Sequence, residues 1–84
     1  MCNNYRLLYE QIPIVSSKDM IRILESLGFY IVRQKGSHKI YRHRDGRVVV
    51  VPSHGNDLRR GLIRALLRDI EITIDDYIKL KRNL

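Results

Sequence analysis

At Gly28 the hydrophobic period of the chain changes from helical to extended. Before it, Met20, Ile23, Leu24 and Leu27 recur at the spacing of a single helix stripe. Ser16 and Asp19 stand at capping-box spacing, with Asp in place of the usual Glu, and Gly28 is the residue type that closes a helix. These signals predict a helix over 17–27. After Gly28 come three runs rich in β-branched and aromatic residues, 29–34, 37–44 and 47–52. Lys35-Gly36 and Asp45-Gly46 separate them, and Asp-Gly is the favoured pair of a two-residue type I′ hairpin. The expectation is a three-stranded antiparallel meander. Its last run, Val48-Val49-Val50-Val51, is an aggregation hazard at an open edge, so a helix or a partner is expected to cover it. Asn56 or Asp57 is placed to cap a second helix over about 57–69, with Leu62, Ile63, Leu66, Leu67 and Ile70 inward. Thr73 and Asp76 repeat the capping-box spacing and open a short last helix through Tyr77, Ile78 and Leu80. The order is helix, three strands, helix and a terminal helix: an α+β fold with the helices on one sheet face.

The chain has 84 residues, enough for one domain. A chain of this length buries about 60% of its unfolded surface, so a small core and no deep substrate cavity are expected. Residues 1–15 read as an N-terminal extension and 16–84 as the domain. Pro13 would stop any short helix carrying Leu7, Leu8 and Ile12. No apolar run approaches the ~20 residues of a membrane span, and Met1 to Glu10 lacks the layout of a secretory signal. Cys2 is the single cysteine, which leaves no intramolecular disulfide and no structural zinc framework. A cytoplasmic protein with no membrane association and no cofactor is expected.

Charge narrows the function. Sixteen Lys and Arg stand against nine Asp and Glu, a formal net charge of +7, and eleven of the sixteen are Arg. Arginine grips phosphate with a planar fork where lysine offers a point charge. Between Arg33 and Arg68 lie ten basic residues and only Asp45 and Asp57 as acids. That concentration is the footprint of a polyanion binder.

A two-residue turn at Asp45-Gly46 pairs residues whose numbers sum to about 91, setting Tyr41 opposite Val50 and His38 opposite Ser53. A similar turn at Lys35-Gly36 sets Arg33 opposite His38. One end of the sheet then gathers Lys35-Gly36-Ser37-His38, Pro52-Ser53-His54 and the start of the second helix, whose free N–H groups attract anions. Gly36 allows close backbone approach, and Arg33, Lys35, Arg59 and Arg60 add charge. An imidazole beside a phosphate cradle is the minimum equipment for RNA cleavage. Histidine titrates near neutrality, so it can take a 2′-hydroxyl proton or protonate the leaving oxygen without a metal.

On these segments the chain resembles the HicA-type toxins, mRNA interferases of bacterial toxin–antitoxin pairs. The resemblance spans 13–77. It rests on Ser16 to Leu24, Gly28-Phe29 and above all Arg33-Gln34-Lys35-Gly36-Ser37-His38, followed by Ile40-Tyr41-Arg42-His43. Asp45-Gly46, Val51-Pro52, His54-Gly55-Asn56 and the helix from Gly61 continue it. It implies an α-β-β-β-α fold like double-stranded RNA-binding domains, RNA as substrate, His38 as the catalytic residue, and control by a HicB-like antitoxin, which the basic surface at Lys35, Arg59 and Arg60 leads one to expect to be acidic. Where such toxins often carry Lys-Pro-Gly-Thr into the second helix, this chain reads Arg59-Arg60-Gly61-Leu62.

The expected phosphate-binding set is Arg33, Lys35, Gly36, Ser37, His54, Arg59, Arg60 and Arg64, with no metal site. His54 is a second acid–base group, a phosphate ligand or a plain loop residue. His43, near the hairpin tip, is expected to be a solvated strand residue. Tyr30 and Tyr41 are expected to pack rather than stack on bases. Arg60, Arg64 and Arg68, at four-residue spacing, face RNA, an acidic partner or solvent alone. The alternative function is a non-catalytic RNA-binding module of the same fold.

Overall fold

The computed structural model describes residues 11–53 and 57–84. Helix α1 spans Ser17–Ser26, strands β1, β2 and β3 span Tyr30–Lys35, His38–Arg42 and Val48–Pro52, and helices α2 and α3 span Arg60–Ile70 and Ile74–Arg82. The sheet order is β1-β2-β3, antiparallel throughout. This is the expected α+β architecture.

Two of the caps form as the sequence dictates. The Ser16 hydroxyl accepts the Asp19 amide at 3.1 Å, and the Thr73 hydroxyl accepts the Asp76 amide at 3.0 Å. Each satisfies one of the orphan donors of a first helical turn. The second helix departs from expectation. It begins at Arg60, three residues late, and Arg59 stands at its N-cap with no side-chain hydrogen bond. The cause is a long-range pairing: Asp57 bridges to Ser16, and the Leu58 amide donates to the Val15 carbonyl at 2.8 Å. Extended backbone at 57–58 cannot also be a helical turn. Asn56, the other expected cap, lies outside the described residues.

Helix α2 closes on Glu71, a non-glycine residue held at φ 61°, while the Ile72 amide returns to the Leu67 carbonyl at 3.2 Å. Left-handed backbone costs an L-residue about 1 kcal/mol. Glu71→Gly should therefore raise stability by about 0.5–1 kcal/mol. Equal or lower urea midpoints for the variant would contradict this.

The hairpin registers differ from the two-residue readings. Tyr41 pairs with Val49 and His38 with Pro52, so paired numbers across β2 and β3 sum to one less than expected. The Gly46 amide closes a turn on the His43 carbonyl at 2.9 Å, and Gly46 alone of the loop takes positive φ, at 104°. A type I′ turn needs two such residues. A three-residue loop ending in one left-handed glycine needs one, and Asp45 does not supply the other. Across β1 and β2 the turn lies at Gly36-Ser37, with Gly36 at φ 60° in the first central position. Lys35, not Arg33, is therefore opposite His38. Arg33 pairs with Ile40, and the register slips by one residue between Ile31 and Arg33.

Tyr41, Val49 and Val51 point into the core with Met20, Ile23 and Leu24 of α1, Ile63, Leu66, Leu67 and Ile70 of α2, and Tyr77 of α3. Ile12 and Val15, at the end of the N-terminal segment, are fully or almost fully buried in the same core. Both long helices pack on β3, and β1 remains exposed along its length. The valine run is thus covered on one face only: Val49 and Val51 are buried, while Val48 and Val50 remain 46% and 42% exposed on the other face of an edge strand.

The tip of the second hairpin is fastened to both helix ends. His43 Nε2 lies 3.1 Å from the Leu27 carbonyl at the end of α1, and the ring meets Phe29 edge-on at 5.1 Å. Arg47 lies over Phe29, pairs with Asp45 at 2.8 Å, and donates to the Ile70 carbonyl at the end of α2. A cation at that end also meets the negative pole of the helix dipole. The Arg47 amide, and secondarily its guanidinium, hold the Asp45 carboxyl below the usual carboxylate range. His43 is therefore a packed clamp, and the expectation of a solvated strand residue is corrected.

Candidate functional site

The end of the sheet opposite that clamp is built from three crossing chain segments. The Gly36-Ser37 turn leads into His38, the first residue of β2. The Ser53 amide, just past β3, donates to the Ser37 carbonyl at 2.6 Å. The buried Ser17 hydroxyl, in the first turn of α1, donates to the Pro52 carbonyl. Turn, strand end and helix start are thereby fixed to one another.

His38 is exposed, and its cross-strand neighbours are Lys35 on one side and Pro52 on the other. Directly opposed residues share a sheet face with Cβ atoms about 5 Å apart, so Lys35 and His38 project together on the face away from the helices. Arg33 is on the same face, two pairs further along. Gln34 donates to the Gly36 carbonyl at 3.2 Å and braces the turn. The structure thus brings Arg33, Lys35, Gly36, Ser37 and His38 together around one turn.

The arginines of α2 are placed differently. Arg59 precedes the helix and is exposed; Arg60 turns its Nε to the Ile12 carbonyl at 3.0 Å. With Ile14, Gly61 and Leu62 these two line a shallow cleft beside the N-terminal segment. Arg64 is one helical turn further on, about 6 Å along the axis. It lines a separate cleft with Arg68, Ile72 and Thr73, toward the start of α3. His54 lies outside the described residues. Among the described residues no group of three or more His, Cys, Asp or Glu could hold a metal ion, and no helix is long and apolar enough to cross a membrane.

The sequence reading passed over Lys39 and Lys18. Lys39 follows His38 and therefore points to the opposite face, toward α1. There it shares a cleft with Ser17, Lys18, Ile21, Arg22, Glu25 and Ser53. The available signal was strand alternation: with Tyr41 inward, Lys39 must be inward too.

What the fold and this sheet end define is a small basic α+β module of the double-stranded RNA-binding-domain type, with a histidine at an exposed strand start. Residues 17–72 match the family model described as the HicA toxin of bacterial toxin–antitoxin systems. The chain belongs to that family, as the toxin of a toxin–antitoxin pair, and an antitoxin is accordingly its partner. No curated protein matches the chain.

Proposed function

We propose that the chain is an endoribonuclease that cleaves mRNA without a metal, using His38 as its acid–base group. The observation that carries this reading is the placement of His38: exposed, one residue past the Gly36-Ser37 turn and paired across the strands with Lys35, in a chain of the HicA family. In the proposed reaction, the 2′-hydroxyl loses its proton and attacks the adjacent phosphorus. The bond to the 5′-oxygen breaks, and that oxygen leaves with a proton. The products are a 2′,3′-cyclic phosphate and a 5′-hydroxyl. The imidazole serves one of the two proton transfers, Lys35 and Arg33 offset the phosphate charge, and Gly36 and Ser37 present backbone at close range. Arg59, Arg60, Arg64 and His54 would extend the RNA contact.

Purified protein incubated with mRNA in excess chelator should yield cyclic-phosphate ends. RNA that is bound but left intact would establish the non-catalytic module instead. Binding itself should be electrostatic: His38→Ala protein should bind single-stranded RNA with log K falling against log salt by about 0.7 per phosphate contacted. Three to five contacts would give a slope of roughly −2 to −3.5. A flat dependence would assign the +7 charge to some other purpose.

For the partner, a basic site at cellular salt is not closed by charge alone, because screening acts within about 8 Å. The antitoxin proposed here is a small, acidic, HicB-like protein that offers carboxylates to Lys35 and Arg59 and covers His38 sterically. The pair would act in the cytoplasm. Co-expression with the neighbouring gene product should suppress toxicity and bury His38.

A further inference from the structure

The cleft under Lys39 combines three kinds of chemistry in about 500 Å³. Lys18, Arg22 and Lys39 bring positive charge from two elements; Ile21 supplies an apolar floor; Glu25 supplies an acceptor. The α1 residues recur at helical spacing and so form one wall, while β2 supplies the other. The cleft stays open because the helices pack on β3 and leave β1 uncovered. Glu25 faces the sheet closely enough for its charge to help raise the Tyr41 phenol, after the larger effect of burial. Arg22 already has a carboxylate neighbour, Asp19 at 4.0 Å, which leaves Lys18 and Lys39 as the more available cations.

Position gives this cleft its meaning. Its Ser17 and Ser53 end is tied to Pro52 and to Ser37, the residues flanking His38. Lys39 and His38 are consecutive, so they project to opposite faces at the end of the same strand. For an RNA strand held at His38, a path over the Gly36-Ser37 turn leads toward the Ser17 and Ser53 end of this cleft. An apolar floor suits a base, paired lysines suit a phosphate, and a carboxylate accepts from an exocyclic amine, as it does from cytosine N4.

We propose that this cleft between α1 and β2 binds the nucleotide adjacent to the scissile phosphate, with Lys18 and Lys39 on its phosphate and Glu25 on an amino group of its base. This rests on RNA being the substrate, but it can be tested without cleavage. Uracil has no exocyclic amine, so the cleft prefers amine-bearing bases.

The test uses full-length His38→Ala protein and two probes: CMP against UMP, and a mixed-sequence single-stranded RNA. CMP should bind roughly tenfold more tightly than UMP and shift the amide resonances of α1. Glu25→Ala should abolish that preference. Lys39→Met and, at an exposed position, Lys18→Met should each lower the RNA salt slope by about 0.7. A merely structural role would leave the slope unchanged. In the active chain, Glu25→Ala should alter the base found beside the cut.

Unchanged slopes and base preference in all three variants would overturn the proposal, even if the parent cuts RNA. Weakened antitoxin binding with RNA binding intact would also overturn it, by assigning the cleft to the protein partner. Base-selective binding in the cleft by a parent that does not cut RNA would sustain the cleft and refute the nuclease.

Discussion

His38→Ala should lower RNA cleavage by about 10²–10⁴ or more while the protein remains folded. The side chain is exposed, and the strand around it is held by backbone pairing to Lys35 and Pro52, so its removal opens no core cavity. His43→Ala should do the reverse. It removes the contact to the Leu27 carbonyl and the edge of Phe29, at a cost of about 1–2 kcal/mol, and leaves the folded fraction active. Measuring both variants by urea midpoint and by RNA turnover separates chemistry from stability. His38→Ala protein that cuts RNA at the parental rate removes His38 from the mechanism. Growth inhibition should follow turnover, because expression of the folded His38→Ala chain would put an intact but chemically silent toxin into the cell.

The distribution of these roles shows which parts of the molecule local sequence encodes. The caps at Ser16 and Thr73 were legible because each needs only a hydroxyl three residues before the amide it accepts. The valine run was legible as a strand in need of cover but not in register, and the structure buries Val49 and Val51 while Val48 and Val50 remain exposed. Asp-Gly suits two hairpin loops of different length, and only the number of left-handed residues distinguishes them. At the first hairpin, a one-residue displacement of the turn from Lys35-Gly36 to Gly36-Ser37 exchanged Arg33 for Lys35, two positions away, as the neighbour of His38. The late start of α2 depends on Asp57 meeting Ser16, forty-one positions away in sequence, which no local propensity reports. The same holds for His43, whose partner carbonyl is at Leu27 on another element. At the candidate site, the turn and His38 could be read from Gly36-Ser37-His38. The cleft beside them could not, because it exists only where the helices leave β1 uncovered.

Tyr77 should prove to be the most sensitive core position. Its side chain is fully buried, and its hydroxyl donates to the Pro13 carbonyl, tying the last helix to the segment before α1. Tyr77→Ala would remove an aromatic ring from the centre of the core at about 3–5 kcal/mol, a large part of the 5–15 kcal/mol total typical of a domain. The urea midpoint should then fall by the largest step of any variant described. Tyr77→Phe keeps the ring and isolates the hydroxyl. At neutral pH it should cost about 1 kcal/mol, since the Pro13 carbonyl loses its donor. In alkali the order should change. Burial, and secondarily the Asp19 carboxylate, push the Tyr77 phenol up from 10.0 to about 12. The folded chain therefore holds this proton more tightly than the unfolded chain does. The resulting stability is complete below about pH 10 and is lost as pH rises through about 12, by up to about 3 kcal/mol. Tyr41, also raised by burial, adds to the loss in the same direction. Tyr77→Phe should flatten most of the alkaline limb and become the more stable protein near its upper end. Urea midpoints of parent and variant at pH 7, 9 and 11 provide the measurement. Parallel curves for the two proteins across that range would mean that burial does not raise the Tyr77 phenol, and equal midpoints at pH 7 would mean that its hydroxyl is not held by the Pro13 carbonyl.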